Sequence, residues 1–454
     1  MADPAAHGGR RSGAIAAPVL LTGAVTTVFG LMFGFSTAVI AGVLDDVAAV
    51  YGLDTGATEA VVTSLVISCF FGAILASPLS ARLGRKPALA IAGVLALAGY
   101  TAILAGPTLA VLVAGRIAIG LAVGLSSMVA PMYAAEATPA RFRGAVVSLY
   151  QLAVTVGILA AYATPLFLSA ALVWNQLVGL GVIIGVMGIV VAFAVPESPL
   201  WLSRHGRTAE AEAAARFLGV ADVARHAAPE EGGAVRLAAV MAGSIPMVLT
   251  LAGGMFILQN LSGIDGILYY APKIFEGLGF EAGTAALTAT FVLGAVNVAA
   301  TVGAILAVDR CGRRPLLLGG SAVMVVGLSA VVFALLTGNA LAGFLGLALY
   351  IAAFAVSLGP LPYVMMSELF PSRIREPGIA AASATSWLFN AAVAFFFLSA
   401  VETFGSGAVF GFFAAVCVLS FLVGLFAVPE TRGVPLEDIE ARVLAGTPLR
   451  HLGE

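Results

Sequence analysis

Charged side chains are scarce in this chain, and their scarcity limits the class of protein that it can form. Only 10% of the 454 residues are Asp, Glu, Lys or Arg, whereas 61% are hydrophobic and the mean hydropathy is +1.06. Soluble domains carry about 25% charged residues, so this composition excludes a soluble globular protein. The net charge of −2 and the lack of a long Lys/Arg run argue against nucleic-acid binding.

Cysteine and histidine are also rare, which argues against disulfide and metal chemistry. The cysteines are Cys69, Cys311 and Cys417. They are too far apart for a disulfide framework or a zinc motif. The histidines are His7, His205, His226 and His451. All four fall in polar segments, no phosphate-binding glycine loop follows a strand, and no nucleophile, base and orienting acid gather in one segment. We therefore expect neither an enzyme nor a bound cofactor or metal.

Long apolar runs take the place of the missing charge. A helix needs about 20 apolar residues to cross a bilayer, and backbone groups in lipid must hydrogen-bond within their own segment. Apolar stretches between charged or Gly/Pro positions predict twelve spans, six in each half. The predicted spans are residues 17–44, 59–80, 88–106, 109–134, 146–168, 174–195, 245–271, 284–307, 315–338, 341–366, 377–400 and 405–428. The sequence therefore predicts an all-α membrane protein.

The positions of Lys and Arg predict the orientation in the membrane. Of the 22 basic residues, all but Arg116 and Lys273 lie in the terminal segments, in alternate short loops or in the connection between the halves. The positive-inside rule makes these segments, and hence both termini, cytoplasmic. The opposite loops carry acidic side chains: Asp45, Asp46, Asp54, Glu276, Glu281 and Glu402. The apolar run after Arg11 is too long for a signal peptide, so we expect it to be the first span.

The same polar motifs occur twice along the chain. RLGRKP at 82–87 returns as RCGRRP at 310–315, an offset of 228 residues. Glu136 returns as Glu368 at an offset of 232, each followed by an Arg-x-Arg pair, and PES at 196–198 returns as PET at 429–431, an offset of 233. Repeated halves in an apolar chain are typical of transporters.

These boundaries predict five segments. They are a cytoplasmic N-terminus at 1–16, a six-helix domain at 17–195, a cytoplasmic linker at 196–244, a second six-helix domain at 245–428 and a cytoplasmic tail at 429–454. The linker stretch RTAEAEAAARFL at 207–218 favours short amphipathic helices. We expect the linker to tether the two halves rather than to form a separate domain.

Six motifs together resemble the sugar porter family of the major facilitator superfamily. They are GRIAIGLAVG at 115–124, PMYAAE at 131–136, PESPLWL at 196–202, GIDGILYYAP at 263–272, DRCGRRP at 309–315 and PETRG at 429–433. The resemblance extends over nearly the whole chain. It implies the major facilitator fold, with two pseudo-symmetric six-helix domains, a central sugar site and alternating access, in a monomer of the plasma membrane.

A sugar site needs amides and hydroxyls that match the sugar hydroxyls, and aromatic faces for the apolar side of the ring. By resemblance to the family, the substrate-binding residues are Gln151, Gln259, Asn260, Asp265, Asn297, Tyr363, Trp387 and Asn390. Tyr269 and Tyr270 resemble the outer gate of the family. Two alternatives stand beside these assignments, because a buried amide also serves as a helix-to-helix hydrogen bond and membrane tyrosines also form interfacial belts.

The first span departs from the family pattern at a position that concerns protons. GFSTAVIAG at 34–42 aligns with a segment that reads Gly-Tyr-Asp-Thr-Gly in proton-coupled members, so Ser36 replaces the proton-carrying acid, although Arg116 remains. Members without the acid, such as the animal facilitative glucose transporters, are uniporters. We predict facilitated diffusion of a monosaccharide, with a hexose preferred. The alternative is proton symport through Asp265, an acid where the family usually has Asn, or through another acid.

The duplicated charged clusters are expected to gate the cytoplasmic end, where Glu136 and Glu368 would bridge helices to arginines such as Arg143 and Arg314. The proposed set is Arg82, Arg85, Glu136, Arg143, Glu197, Asp309, Arg310, Arg314, Glu368, Arg375 and Glu430. One exposed ion pair contributes only about 0–1 kcal/mol, but coupled pairs bias a two-state equilibrium further. The alternative is that the arginines only set topology.

Two further function classes receive less support. A drug/proton antiporter shares the fold, but the fifth span reads VGILAAYATP at 156–165, without the central Gly-Pro pair of many antiporters. A non-transporting sugar sensor would need a longer tail than the 25 residues after Pro429.

Overall fold

The computed structural model describes residues 11–106, 108–220, 243–371, 375–432 and 434–453. Within these ranges, the side chains at 11–16, 307–310, 367, 375–377, 380 and 436–437 are outside the description. Three predicted gate residues, Asp309, Arg310 and Arg375, therefore lie outside the described side chains.

All regular secondary structure in the described residues is helical. The α-helices are Arg11–Ala38, Leu44–Tyr51, Thr55–Leu83, Arg85–Ala105, Leu109–Ala137, Ala140–Leu168, Trp174–Gly179, Gly181–Ala194, Pro199–Arg204, Thr208–Leu218, Ile245–Leu261, Ile264–Tyr269, Ala271–Gly277, Thr284–Cys311, Arg313–Thr337, Ala340–Val356, Leu361–Leu369, Arg375–Phe404, Ser406–Phe426 and Leu436–Leu444. Short 3₁₀ turns follow at Val39–Gly42 and Leu449–His451.

Twelve of these helical segments are long and apolar enough to cross a membrane, which confirms the predicted fold class. Numbered in chain order, spans 1 to 12 are Ala17–Gly42, Thr55–Leu83, Arg85–Ala105, Leu109–Ala137, Ala140–Leu168, Trp174–Ala194, Ile245–Tyr269, Thr284–Leu306, Arg313–Thr337, Ala340–Met366, Ala381–Phe404 and Ser406–Phe426.

Spans 7 and 10 are interrupted helices, and the interruption in span 7 depends on one glycine. Gly263 separates Ile245–Leu261 from Ile264–Tyr269 and has φ +94°, a left-handed conformation that side chains rarely adopt. A Cβ at this position would also lie 2.2 Å from the Phe413 ring. Span 10 breaks between Val356 and Leu361. Interrupted spans expose backbone groups and commonly form substrate sites in transporters.

The duplication predicted from the motifs is also present in the packing. A Cβ on Gly99 in span 3 would lie 2.6 Å from the carbonyl oxygen of Gly115 in span 4. In the second half, a Cβ on Gly327 in span 9 would lie 2.7 Å from the carbonyl oxygen of Gly346 in span 10. Backbones approach this closely only through small residues, so the two halves repeat the same helix contact.

Contacts divide the chain into two compact units whose limits differ from the predicted domain boundaries. Unit 1 comprises Met1–Ser36, Phe71–Gly157 and Val178–Gly232, and unit 2 comprises Thr37–Phe70, Ile158–Leu177 and Gly233–Glu454. Unit 2 thus contains parts of spans 1, 2, 5 and 6 together with the second half. Those parts flank the loops opposite the arginine motifs. We call this side the distal end and define it by residues 43–54, 169–173, 270–283 and 405.

Candidate functional site

The short helix after the break in span 7 carries an acid and a tyrosine toward span 11. The side chain of Asp265 is hydrogen-bonded to Asn390 in span 11. The Oδ1 of Asn390 also accepts a hydrogen bond from the Tyr269 hydroxyl at 3.2 Å. An acid, an amide and a phenol are therefore connected in one polar chain, with Asp265 half-buried and Asn390 buried.

A second polar chain runs through Ser386, one turn before Asn390. The Nδ2 of Asn260 donates to the Ser386 Oγ at 3.1 Å and to the Phe256 carbonyl at 2.7 Å. Ser386 also bonds the hydroxyl of Tyr363 in span 10, whose ring packs edge-on against Phe256 with centroids 4.7 Å apart. Asn260 therefore connects spans 7 and 11, as the helix-to-helix alternative anticipated. Tyr363 remains 47% exposed, so its ring can meet a ligand.

Gln259 lies against the interruption in span 10. Its Nε2 donates to the carbonyl oxygens of Leu358, at 3.0 Å, and Gly359, at 2.8 Å. Carbonyls at a helix end have no partner within the helix, and Gln259 satisfies two of them. The amide nitrogen is thus committed to the backbone, and the side-chain oxygen is the atom suited to accept from a sugar hydroxyl.

Five predicted binding residues therefore converge within unit 2, from spans 7, 10 and 11. They are Gln259, Asn260, Asp265, Tyr363 and Asn390. Trp387 is buried beside Ser386 in the sequence. Asn297 is buried in span 8, where its carbonyl accepts from Thr301 at 2.8 Å. Gln151 is exposed and belongs to unit 1. Ser386 was not in the predicted set.

The tyrosine pair at the end of span 7 packs against span 11. Tyr269 and Tyr270 are 3% and 0% exposed. The Tyr270 hydroxyl donates to the Ala394 carbonyl at 2.8 Å, and its ring stacks on Phe397 with centroids 5.2 Å apart. An interfacial belt would leave these rings at the membrane surface, so the alternative of a belt is wrong. The outer gate stays a prediction.

Ser36, which replaces the family acid, is bonded to a tyrosine that the sequence analysis did not single out. The hydroxyl oxygens of Ser36 and Tyr100 are 2.6 Å apart, and Ser36 also donates to the Met32 carbonyl at 2.5 Å. Both residues are buried, and Tyr100 interacts electrostatically with the buried Arg116. The ring fills the space left by Gly181, where a Cβ would lie 2.3 Å from it.

The first-half arginine cluster joins the ends of spans 2, 3 and 4 to the linker. Arg85 donates to both carboxylate oxygens of Glu136, from Nε at 3.0 Å and from Nη2 at 2.8 Å. The Ser198 hydroxyl donates to the same carboxylate at 2.5 Å. Glu197 accepts from the backbone N–H groups of Arg85 and Lys86 at 3.0 and 3.1 Å, so it caps the start of span 3.

The second-half arginine cluster contains the equivalent residues in contact, and one of these contacts differs from the predicted pairing. Glu368 is bound by Arg313, with Nη2 to Oε1 at 2.9 Å, and by the Thr431 hydroxyl at 2.5 Å. Glu430 accepts from the backbone N–H groups of Arg313 and Arg314, both at 3.1 Å. The predicted partner, Arg314, instead directs its guanidinium to the Gly424 and Leu425 carbonyls, because successive helical side chains point in different directions.

Two other predicted gate arginines have different surroundings. Arg82 is exposed. Arg143 is half-buried, and its Nε is buried without a hydrogen-bond partner, so the predicted bridge from Glu136 to Arg143 is wrong: Glu136 is bound by Arg85.

Burial raises the pKa of the Glu197 carboxyl, against the lowering effect of the backbone N–H groups that donate hydrogen bonds to it.

Comparison with known proteins agrees with this geometry. Residues 22–442 match the family described as "Sugar (and other) transporter". The chain is 35% identical to the galactose-proton symporter of Escherichia coli K12, over 93% of this chain and 94% of that one. It is 33% identical to the D-xylose-proton symporter of the same strain, over 92% and 94%.

Solved structures give the same answer at the level of the fold. A partially occluded inward-open structure of the xylose transporter XylE from E. coli aligns with a TM-score of 0.79 and 29% identity, over 92% of this chain and 100% of that one. The chain therefore belongs to the sugar porter family of the major facilitator superfamily, and it is a sugar transporter that works by alternating access rather than an enzyme.

Proposed function

We propose that the transporter carries a monosaccharide, with a hexose preferred, across the plasma membrane by facilitated diffusion. The polar residues of unit 2 supply the chemistry that a sugar requires: a carboxylate, three amides and two phenols, one of which, Tyr363, presents an exposed aromatic face. Relatives named for galactose, arabinose and xylose indicate a pyranose-sized substrate. The hexose preference rests on the galactose relative, at 35% identity against 31% and 33% for the two pentose relatives.

The single observation that carries facilitated diffusion is the bond between Ser36 and Tyr100. A symporter needs a group beside its binding machinery that gains and loses a proton during the cycle. Here the Ser36 hydroxyl bonds the Tyr100 hydroxyl, which interacts electrostatically with Arg116. Neither a serine nor a tyrosine hydroxyl exchanges a proton near physiological pH. The first half of the chain therefore offers no proton carrier at the position that proton-coupled members use.

Proton symport through Asp265 is the alternative, and one observation favours it. Asp265 is half-buried and bonded to Asn390, within the same polar chain that we assign to the sugar. A carboxylate inside a membrane is costly, and such groups are commonly functional. In addition, the relatives at 31–35% identity are named as proton symporters.

Uptake into proteoliposomes distinguishes these two mechanisms. Labelled glucose, galactose and xylose are presented to wild type, Asp265→Asn and the control Glu281→Gln, an exposed acid of a distal loop, with and without an inward proton gradient. Facilitated diffusion predicts equilibration without accumulation in all three proteins, with the gradient having no effect. Accumulation that is lost only in Asp265→Asn would instead establish symport.

We also propose the expected orientation, with both termini in the cytoplasm and a monomer as the functional state. The basic residues of the arginine clusters support this orientation. Labelling of Cys311, which is exposed beside the second cluster, tests it in intact cells: only a membrane-permeant thiol reagent should react.

A further inference from the structure

We propose that Glu59 is a positioning residue for transport, and that its bond to Ser399 holds the distal end of the transporter closed. Glu59 lies near the start of span 2 and is 1% exposed. Its Oε1 accepts from the backbone N–H of Ser399 at 2.8 Å, and its Oε2 accepts from the Ser399 hydroxyl at 2.5 Å. One residue of span 11 thus binds both oxygens of a buried carboxylate, across 340 positions of the chain.

Three other polar contacts between residues far apart in sequence lie within unit 2. Thr55, one turn before Glu59, donates to Glu402 in span 11. Lys273 pairs with Asp45 at 2.9 Å, with Glu276 close to both charges, and Tyr162 donates to the Leu268 carbonyl at 2.7 Å. The charged members of this group are exposed or only half-buried. Glu59 is the one acid that combines a distal position with near-complete burial in the described residues.

Burial makes Glu59 sensitive to the state of the distal end. When the distal end opens, a solvated pair such as Asp45–Lys273 can separate at little cost, because water hydrates both charges and salt screens their attraction. A buried carboxylate is tolerated only while its donors are in place, and otherwise it needs water. Alternating access requires spans 2 and 11 to separate at this end, and the separation would give Glu59 water in exchange for Ser399.

The hydrogen bond from the backbone links the carboxylate to the helix itself. Ser399 lies inside the helix Arg375–Phe404, where the usual acceptor of its N–H is the carbonyl of Phe395. Glu59 therefore fixes one turn of span 11, not merely a side chain. Removal of the Ser399 hydroxyl alone should leave the hydrogen bond from the backbone N–H, whereas truncation of Glu59 removes both hydrogen bonds between spans 2 and 11.

This reasoning gives opposite expectations for two substitutions of the same residue. Glu59→Ala abolishes both acceptors and should open the distal end. Glu59→Gln retains a carbonyl oxygen for the N–H, can donate its amide to the Ser399 oxygen, and removes the cost of burying a charge. The glutamine variant should therefore be at least as closed as wild type, which a general packing defect at position 59 does not predict.

The test is the rate at which a membrane-impermeant maleimide labels a reporter cysteine in protein held in lipid nanodiscs. The reporter is Thr63→Cys, one turn after Glu59 on the same helix and 9% exposed, in a background with Cys69→Ala and Cys311→Ser. We expect Glu59→Ala to raise the labelling rate by about fivefold or more, and Ser399→Ala by less. Glu59→Gln and the control Thr55→Ala, at a half-buried position, should stay within about twofold of the parent.

Two results would overturn the inference: equal labelling of Glu59→Ala and the parent, or equally raised labelling of the alanine and glutamine variants. If Glu59→Ala does not fold, the labelling rate of Ser399→Ala must still be higher than that of Thr55→Ala. Equal rates for these two variants would also overturn the inference. The labelling rate depends on alternating access, but not on which sugar is carried or on whether transport is coupled to protons. Its outcome is therefore independent of the proposed facilitated diffusion.

Discussion

Arg85 donates from Nε and Nη2 to the two different carboxylate oxygens of Glu136, whereas Arg313 in the second half donates from Nε and Nη2 to the single Oε1 of Glu368. The side chains of the first pair are 6% and 10% exposed, and those of the second are 14% and 16% exposed. Bidentate pairing of an arginine with a carboxylate fixes direction as well as distance. The first pair therefore fixes the ends of spans 3 and 4 relative to each other in direction as well as distance, and the second pair holds its spans through one carboxylate oxygen.

Glu136→Gln should destabilise the protein more than Glu368→Gln. Removal of one partner leaves the arginine with part of its donors unsatisfied, and we expect losses of about 2 and about 1 kcal/mol, since the second pair is better solvated. Thermal unfolding of the purified variants measures the order. Glu210→Gln, in the exposed pair with Arg207, is the control and should leave the melting temperature unchanged.

Ala81→Asp should shift the population toward the outward-facing state. Ala81 is exposed at the end of span 2, beside Arg82, and its backbone carbonyl accepts a hydrogen bond from the Trp201 indole at 2.8 Å. An added carboxylate there would give the first-half arginine cluster one more acid to hold its neighbouring arginines. Accessibility of a reporter cysteine at the end of the transporter that carries the arginine clusters should fall, and equal accessibility in both proteins would contradict the prediction.

Gly72→Ala should weaken the packing of span 2 on span 4. A Cβ at Gly72 would lie 2.5 Å from the Leu121 carbonyl oxygen and 3.0 Å from the Leu125 nitrogen. Both atoms belong to the backbone and cannot rotate away, so we expect a loss of about 1–3 kcal/mol. Gly411→Ala is the matched control in span 12, where nothing lies within 4 Å, and it should cause no loss in unfolding experiments.

Glu197 should give the stability of the protein a defined pH dependence. Burial raises the pKa of its carboxyl in the folded state, so the folded protein holds this proton more tightly than the unfolded chain. The stability from this group is complete below the ordinary pKa and is lost as the pH rises through the raised value. The melting temperature of wild type minus that of Glu197→Gln should therefore fall as the pH rises above the ordinary glutamate pKa of about 4.3.

The sequence was sufficient for the twelve spans and for the paired clusters. Apolar runs of the right length leave few alternatives in a membrane, and the repeated motifs located Glu136 and Glu368 beside basic residues. The pairing of Glu368 was predicted less well, because Arg313 and Arg314 are adjacent and only the helix geometry decides which one faces the carboxylate.

Other contacts carried no signal that a single sequence could reveal. Tyr162 donates to a backbone carbonyl, which every residue possesses. Tyr100 is an aromatic residue in an apolar helix, and only the fold brings it to Ser36. Glu59 and Ser399 belong to no motif and meet across most of the chain. The compact units differ from the sequence halves for the same reason, since distal contacts of this kind are not local.

The duplication of the arginine cluster supplies the protein with an internal reference for experiments. A change at Arg85, Glu136 or Ser198 has a counterpart at Arg313, Glu368 or Thr431 in the same polypeptide, lipid and preparation. Any difference between the two members of such a pair then measures the asymmetry between the halves directly. The two repeated halves of the chain can in this way be compared quantitatively with each other.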